Sequence, residues 1–306
     1  MKIFVTGGAG FIGSHLTKFL LDKGHTVTVY DNLSRGYQEL IDKRAKFVQG
    51  DTNNKETLLQ VLPSHDAVIH MAGFIEVGES FKDPQVFFQN NLSGGITLLE
   101  AMRDAGVSKI IFSSTAAIYK PKEKPLEEDD PKEPQNPYGA TKLAFENFLA
   151  AYFYSYRLES VSLRYFNAYG PGEHHKPETH AIPNFIRATL KKEPLPLYWQ
   201  GEQVRDYIFI DDLVEAHVKA LNLSGYKYLN LGTGKGTKTI DLLKMIFDIV
   251  GHDAPIADLG KREGDASYLV ASYKKAKGIL GWEPKRPLVE GLRKTIDYFA
   301  KIDKLE

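Results

Sequence analysis

The sequence predicts an α/β fold with a doubly wound, parallel sheet, and three observations lead there. Short β-branched runs alternate with amphipathic stretches through the first half. A glycine triad joins the first run to the first helical stretch, and an acid ends the second run. Strand character falls on 2–6, 26–30, 46–50, 67–71, 109–113, 160–164 and 228–231. Helical periodicity falls on 15–23, 55–62 and 91–105. Alternation of this kind implies right-handed helical crossovers covering both faces of the sheet.

Past Phe166 the pattern changes, with Pro171, Gly172, Pro177, Pro183, Pro194 and Pro196 breaking the chain into loops. Residues 207–210 and 228–231 read as strands that return to the first sheet. The expected organisation is a Rossmann domain over 1–166 that takes back the segment 206–236. A smaller discontinuous substrate domain comes from 167–205 and 237–306. The stretch 120–135, rich in Lys, Glu, Asp and Pro, reads as a surface loop.

Lys plus Arg and Asp plus Glu number 39 each, so no global field draws nucleic acid or an anionic membrane. The chain has no cysteine, which excludes disulfides, thiolate metal sites and a cysteine nucleophile. The apolar run before Gly7 is too short for a signal peptide, and no apolar stretch approaches the roughly 18 residues of a membrane helix. A soluble, cytoplasmic protein is expected.

Thr6-Gly7-Gly8-Ala9-Gly10-Phe11-Ile12-Gly13 follows a strand and opens a helix. Glycines there allow positive φ and close approach of a pyrophosphate, and the helix N-terminus offers free N–H groups. Asp31, at the end of the second strand, is placed to accept hydrogen bonds from an adenosine ribose and to repel a 2′-phosphate. NAD is therefore favoured over NADP, with Arg35 as the counter-argument.

Asn136-Pro137-Tyr138-Gly139-Ala140-Thr141-Lys142 opens a helix, with Asn136 as N-cap and Pro137 as first helical residue. Tyr138 and Lys142 then share one face, a turn apart, and an ammonium beside a phenol favours the phenolate. On many helices such a pair is a packing aromatic and a solvated Lys. Here it follows the fifth strand, whose end Ser113-Ser114-Thr115 points hydroxyls into the ligand crevice.

With these motifs in place, the chain resembles the extended short-chain dehydrogenase/reductase family, and within it the UDP-glucose 4-epimerases. Matching stretches are 7–15, 31–36, 68–80, 112–119, 138–142, 163–167, 204–207 and 262–265. The resemblance implies Thr115, Tyr138 and Lys142 as catalytic residues. It implies contacts to NAD from Gly7, Gly10, Phe11, Ile12, Asp31, Asn32, Asp51 and Thr52. Met71, Ala72, Gly73, Asn90, Ser113, Tyr138, Lys142 and Tyr165 complete that set. For the sugar nucleotide it implies Thr115, Tyr138, Asn167, Tyr198 near uracil, Arg205 and Arg262 on the diphosphate, and Leu269. An ion pair between Arg205 and Asp206 at the surface is the other reading of that arginine.

Four departures from the family pattern bear on the substrate: Tyr119-Lys120, Trp199-Gln200-Gly201, His180, and Leu269 where glucose-restricted members carry Tyr. The implied reaction is reversible oxidation at sugar C4 through a 4-keto sugar. It would interconvert UDP-glucose and UDP-galactose, and the roomier Leu269 extends it to the N-acetylated pair. The alternatives are a dehydratase or decarboxylase, and a non-catalytic NAD-binding sensor. Ala116 and Ala117 stand where dehydratases carry an acid and a base, and the sensors usually lack the Tyr or the Lys. Glu173, His174, His175 and His180 lack the spacing of a zinc site, so no metal is expected. Apolar residues all round the helix after Tyr138, and along 91–105, predict a homodimer through these helices.

Overall fold

Residues 1–174, 179–261 and 266–302 are described by the computed structural model. β1 (Lys2–Thr6) turns through the glycines into α1 (Phe11–Asp22). β2 (Thr26–Asp31), β3 (Lys46–Gln49), α2 (Lys55–Val61) and β4 (Ala67–His70) follow. Two short helices, α3 (Val77–Lys82) and α4 (Pro84–Phe87), run into a π-helical turn at Phe88–Ser93 and then into α5 (Gly94–Ala105). β5 (Lys109–Thr115), α6 (Pro137–Tyr156) and β6 (Glu159–Tyr165) come next. Beyond them lie β7 (Asn167–Tyr169), α7 (Ala181–Lys191), β8 (Leu195–Leu197), β9 (Val204–Arg205), β10 (Tyr207–Phe209), α8 (Ile210–Ala220) and β11 (Tyr226–Leu231). The chain continues through β12 (Thr237–Lys238), α9 (Thr239–Val250), β13 (Ile256–Asp258), β14 (Tyr268–Leu269), α10 (Lys274–Leu280) and α11 (Leu288–Ile302).

Seven strands form one sheet in the order β11-β6-β5-β4-β1-β2-β3, and every neighbouring pair is parallel. Alternate side chains face opposite ways. Ile3 and Val5 join Leu16 and Leu20 of α1 and Leu213 of α8, whereas Phe4 joins Leu58, Leu98 and Leu149 of α2, α5 and α6. The chain reverses direction across the sheet between β3 and β4, which opens a crevice beyond the carboxyl ends of β1 and β4. The first core cluster runs on without a break into Phe185, Ile186, Leu242, Leu243 and Phe299 of the second half.

The sheet corrects one expectation. Of the two predicted returning strands only β11 joins it. β10 pairs in parallel with β7, Tyr207 opposite Asn167, in a separate two-stranded sheet. The edge of β6 is taken by β11 along six residues, so β10 cannot pair there. A second correction concerns 120–135. Leu126 and Glu128 are buried, and the Leu126 N–H donates to Val270 O at 2.8 Å, so this charged stretch is a strap anchored at its one leucine.

Candidate active site

The cradle at the head of α1 is built from backbone. Gly7 has φ +71, and a Cβ there would stand 2.5 Å from the Ala72 N; a Cβ on Gly13 would stand 2.2 Å from the Gly7 O. The loop, the exit of β4 and the first turn of α1 therefore meet too closely for any side chain. Gly10 caps α1 without a side-chain hydrogen bond, and Gly10, Phe11 and Ile12 line a cavity of about 470 Å³. A helix N-terminus opening on a cavity is suited to phosphate.

Asp31 is buried. It accepts from the Ala9 N–H at 3.0 Å and the Leu33 N–H at 2.8 Å, and it faces the same cavity. Asn32 and Thr52 line the cavity as well. Asp51 lies behind them, accepting from Asn32 Nδ2 at 2.8 Å and from the Asn53 N–H at 2.8 Å. These bonds hold its carboxyl below the ordinary range against a desolvation that raises it. Arg35 is engaged by Glu79 at 2.9 Å and stacks over Phe74.

Met71, Ala72 and Gly73 form the next wall, with Asn90 beside them. The loop is clamped by Asn91, whose Oδ1 accepts from the Phe74 N–H at 2.7 Å and whose Nδ2 donates to Phe74 O at 2.9 Å.

At the end of β5, Ser113 and Thr115 face the cavity opposite Tyr138. Asn136 caps α6 as expected, its Oδ1 accepting from the Gly139 N–H at 2.8 Å, with Pro137 in the first turn. That cap fixes Tyr138. Burial pushes the Tyr138 phenol up to about 12, and the Glu76 carboxylate adds to the rise, while the Thr115 hydroxyl works against it. Lys142 stands behind the cavity wall, buried, donating to Ser113 O at 2.8 Å and lying over the Phe112 ring. Burial lowers its ammonium to about 7, opposed by Glu146. Tyr165 reaches the cavity from β6 and pairs with His217 Nε2; burial raises the phenol and lowers the imidazole to about 4.

The far end of the cavity is lined by Asn167, Tyr198, Arg205 and Leu269. Arg205 is buried, and the fully buried Asp206 spends its carboxylate on Thr233, Gly234 and Ala271, which excludes the surface ion pair. Leu269 faces the cavity, whereas its strand neighbour Tyr268 turns toward Gly236. Arg262 lies outside the described residues, as does His175. His180 Nδ1 meets Glu173 Oε1 at 2.8 Å and His174 Nδ1 meets Arg187 at 2.9 Å. Among the described residues no group of three His, Cys, Asp or Glu side chains is placed to hold a metal.

Four residues went unread in the sequence. Glu76 is buried in the cavity wall, its Oε2 accepting from the Ile75 N–H at 3.1 Å. Gln203 lines the far end, and its buried Oε1 has no hydrogen-bond partner among the described residues. Asn91 and His217 act one layer back. Asn91 adjoins Asn90, which the sequence did suggest. Glu76, Gln203 and His217 stand in no pattern that periodicity or spacing picks out.

A Rossmann sheet with a glycine cradle at its switch point and a buried Tyr–Lys pair across the crevice defines a nicotinamide-dependent enzyme of the short-chain type. The chain belongs to the NAD dependent epimerase/dehydratase family, whose sequence profile matches residues 3–232. A UDP-glucose 4-epimerase of Lacticaseibacillus casei is 42% identical, over 96% of this chain and 95% of that one. The crystal structure of the Thermotoga maritima UDP-glucose 4-epimerase with UDP-glucose is similar at a TM-score of 0.95 and 37% identity, covering 100% of both chains. That of the Thermus thermophilus UDP-glucose 4-epimerase with NAD gives 0.93 and 38%, covering 98% of this chain and 99% of that one.

Proposed function

We propose that this protein is an NAD-dependent UDP-glucose 4-epimerase, interconverting UDP-glucose and UDP-galactose and accepting the N-acetylated pair. One observation carries the reading: a single cavity runs from the Gly7–Gly13 cradle, past Thr115 and Tyr138, to Tyr198, Arg205 and Leu269. The dinucleotide and the sugar nucleotide would lie end to end, their reactive parts meeting at the phenol. The reading divides the chain into a dinucleotide-binding part, 1–166 with 206–236, and a sugar-nucleotide part, 167–205 with 237–306.

The cradle fits NAD. Its glycines admit a pyrophosphate where a Cβ would not fit, and Asp31 faces the ribose position with a carboxylate that disfavours a 2′-phosphate. Bound NAD supplies the acceptor and donor of hydride for sugar C4. Tyr138 takes the proton from the 4-hydroxyl and returns it, with Thr115 hydrogen-bonded to the same oxygen. Burial keeps the proton on Tyr138, and Lys142, one turn further along α6, is the cation that would favour the phenolate while it is charged. Tyr198, Asn167 and Arg205 keep the nucleotide anchored while the oxidised sugar turns over, and Arg205 suits a diphosphate through its forked donors.

Elimination is the weaker reading. Ala116 and Ala117 follow Thr115, and Glu76, the carboxylate that acts on Tyr138, is bonded to its own loop and faces Arg35 at 4.0 Å. The proposal includes a cytoplasmic location and a homodimer. α6 is apolar round its circumference, and Phe81, Val86, Phe88 and Phe148 stay exposed on and beside it. Of the apolar side chains that the sequence suggested along 91–105, Leu98, Leu99 and Met102 are wholly buried in the core, whereas Leu92 and Ile96 stay partly exposed. The test is incubation of the purified protein with UDP-galactose and product analysis. UDP-glucose is expected; a 4-keto-6-deoxy sugar, or no change, would sink the proposal.

A further inference from the structure

Beneath the Tyr138–Lys142 pair lies a second charged set that the reaction does not touch. Glu146 is one turn beyond Lys142 on α6 and is buried to 2% exposure. Its Oε1 accepts from Ser114 Oγ at 2.5 Å and from Arg164 Nε at 3.0 Å, and its Oε2 accepts from Arg164 Nη2 at 2.6 Å. Arg164 is buried too. Its Nη1 donates to Tyr119 Oη at 2.7 Å and to Glu128 O at 2.9 Å, and the guanidinium lies over the Tyr228 ring. Register makes this possible, because Ser114 of β5, Arg164 of β6 and Asn230 of β11 stand side by side across the sheet.

We propose that Glu146 is a positioning residue for the proton-transfer pair, joining the strand end that carries Thr115 to the helix that carries Tyr138 and holding Lys142 in its charged form. The proposal rests on the epimerase reading for its catalytic consequence. The joint is geometric first. Ser114 immediately precedes Thr115, and the carboxylate it donates to sits on the same face of α6 as Tyr138 and Lys142, at four-residue steps. A single carboxylate thus fixes the hydroxyl, the phenol and the amine relative to one another.

The charge argument follows from what surrounds Lys142. On its own helix it has Tyr138 and Glu146. From β4 comes His70, from β5 the Ser113 carbonyl and the Phe112 ring, and from the Gly73 loop and the π-helical turn the backbone and Asn91. Glu146 is the one carboxylate that raises the ammonium against burial. Around Glu146 itself stand Ser114 and Arg164, with Tyr119, Tyr226, Tyr228 and Lys132 beyond them. Arg164 makes the buried carboxylate tolerable, and the remaining negative field falls on Lys142, four residues back along the helix.

The test uses Glu146→Gln and the double variant Glu146→Gln with Arg164→Gln, which leaves no buried arginine unpaired should the single variant fail to fold. The 13Cε resonance of Lys142, assigned by its loss in Lys142→Met, reports the amine directly. In the unmodified protein its midpoint is expected well below that of an ordinary lysine, at about 7, because of burial. It should fall by about one unit or more in Glu146→Gln, and by less in the double variant, which removes a cation together with the carboxylate. With turnover as the second readout, the ratio of unmodified to variant kcat should rise as pH goes from 6 to 9, because the variant loses its ammonium earlier. Glu146→Asp keeps the charge and should restore the pH profile even where kcat stays low. An unchanged midpoint with a kcat ratio flat in pH would reduce Glu146 to a packing role and overturn the proposal. The resonance decides the point even if the sugar reading fails.

Discussion

Tyr138→Phe keeps the ring in its slot and removes only the titratable hydroxyl. Turnover should fall at least a hundredfold, the usual scale for a general base, while NAD binding by calorimetry is retained. Turnover near that of the parent would exclude the phenol as the proton carrier. Leu269 is the second residue of consequence. Because Tyr268 turns away, the ring that would crowd a substituent on sugar C2 is missing from this wall. Leu269→Tyr should depress the N-acetyl reaction by roughly tenfold or more and spare the plain hexose, since one group in a pocket changes a barrier by about 1–3 kcal/mol. Equal loss on both sugars in a competition assay would remove Leu269 from the gate. Most of these side chains were readable because each sits at a strand end or helix start that the pattern of glycines and prolines already marks. Glu76 and Gln203 were not, since a loop carboxylate or amide acquires its direction only from tertiary packing.

At the scale of elements, α6 shows how far local chemistry reaches. Asn136 caps it, Pro137 starts it, and Tyr138 sits within its first turn, so fraying of that turn displaces the phenol. Asn136→Ala should lower stability by about 1 kcal/mol in urea unfolding and lower kcat as well. A stability loss with kcat unchanged would show that packing alone holds Tyr138. The helices and parallel strands were legible because their apolar periods are long and regular. β10 was misassigned because three apolar residues suit any buried edge, and only tertiary packing places it beside β7 rather than in the main sheet.

For the whole molecule, two properties follow from what is buried and what is not. Phe81, Phe88 and Phe148 leave an apolar surface along α6 that a second copy would cover. Light scattering at micromolar concentration should give a dimer, and Phe148→Glu with Phe81→Glu should shift it to monomer; a monomeric parent would refute the interface. The second property is acid sensitivity. His217 is held neutral by burial, its imidazole lowered to about 4 from an ordinary 6.5. The unfolded chain then binds the proton first, so the stability is complete above about 6.5 and is lost as pH falls toward 4. His217→Gln should flatten the decline of Tm across that window, and parallel slopes would show that other groups govern it.

The π-helical turn at Phe88–Ser93 has a consequence for how this scaffold tolerates changes of length. A π turn holds one residue more than an α turn over nearly the same rise. That extra residue lets Asn91 bond both the N–H and the carbonyl of Phe74 while α5 keeps Leu98, Leu99 and Met102 in the core. Delete one position there and the helix can heal into an ordinary α turn, but everything before it swings by about 100° about the axis. Asn90 and Asn91 would leave the loop they hold, and no backbone would be broken. A change of length at this turn is therefore felt as rotation rather than as distance.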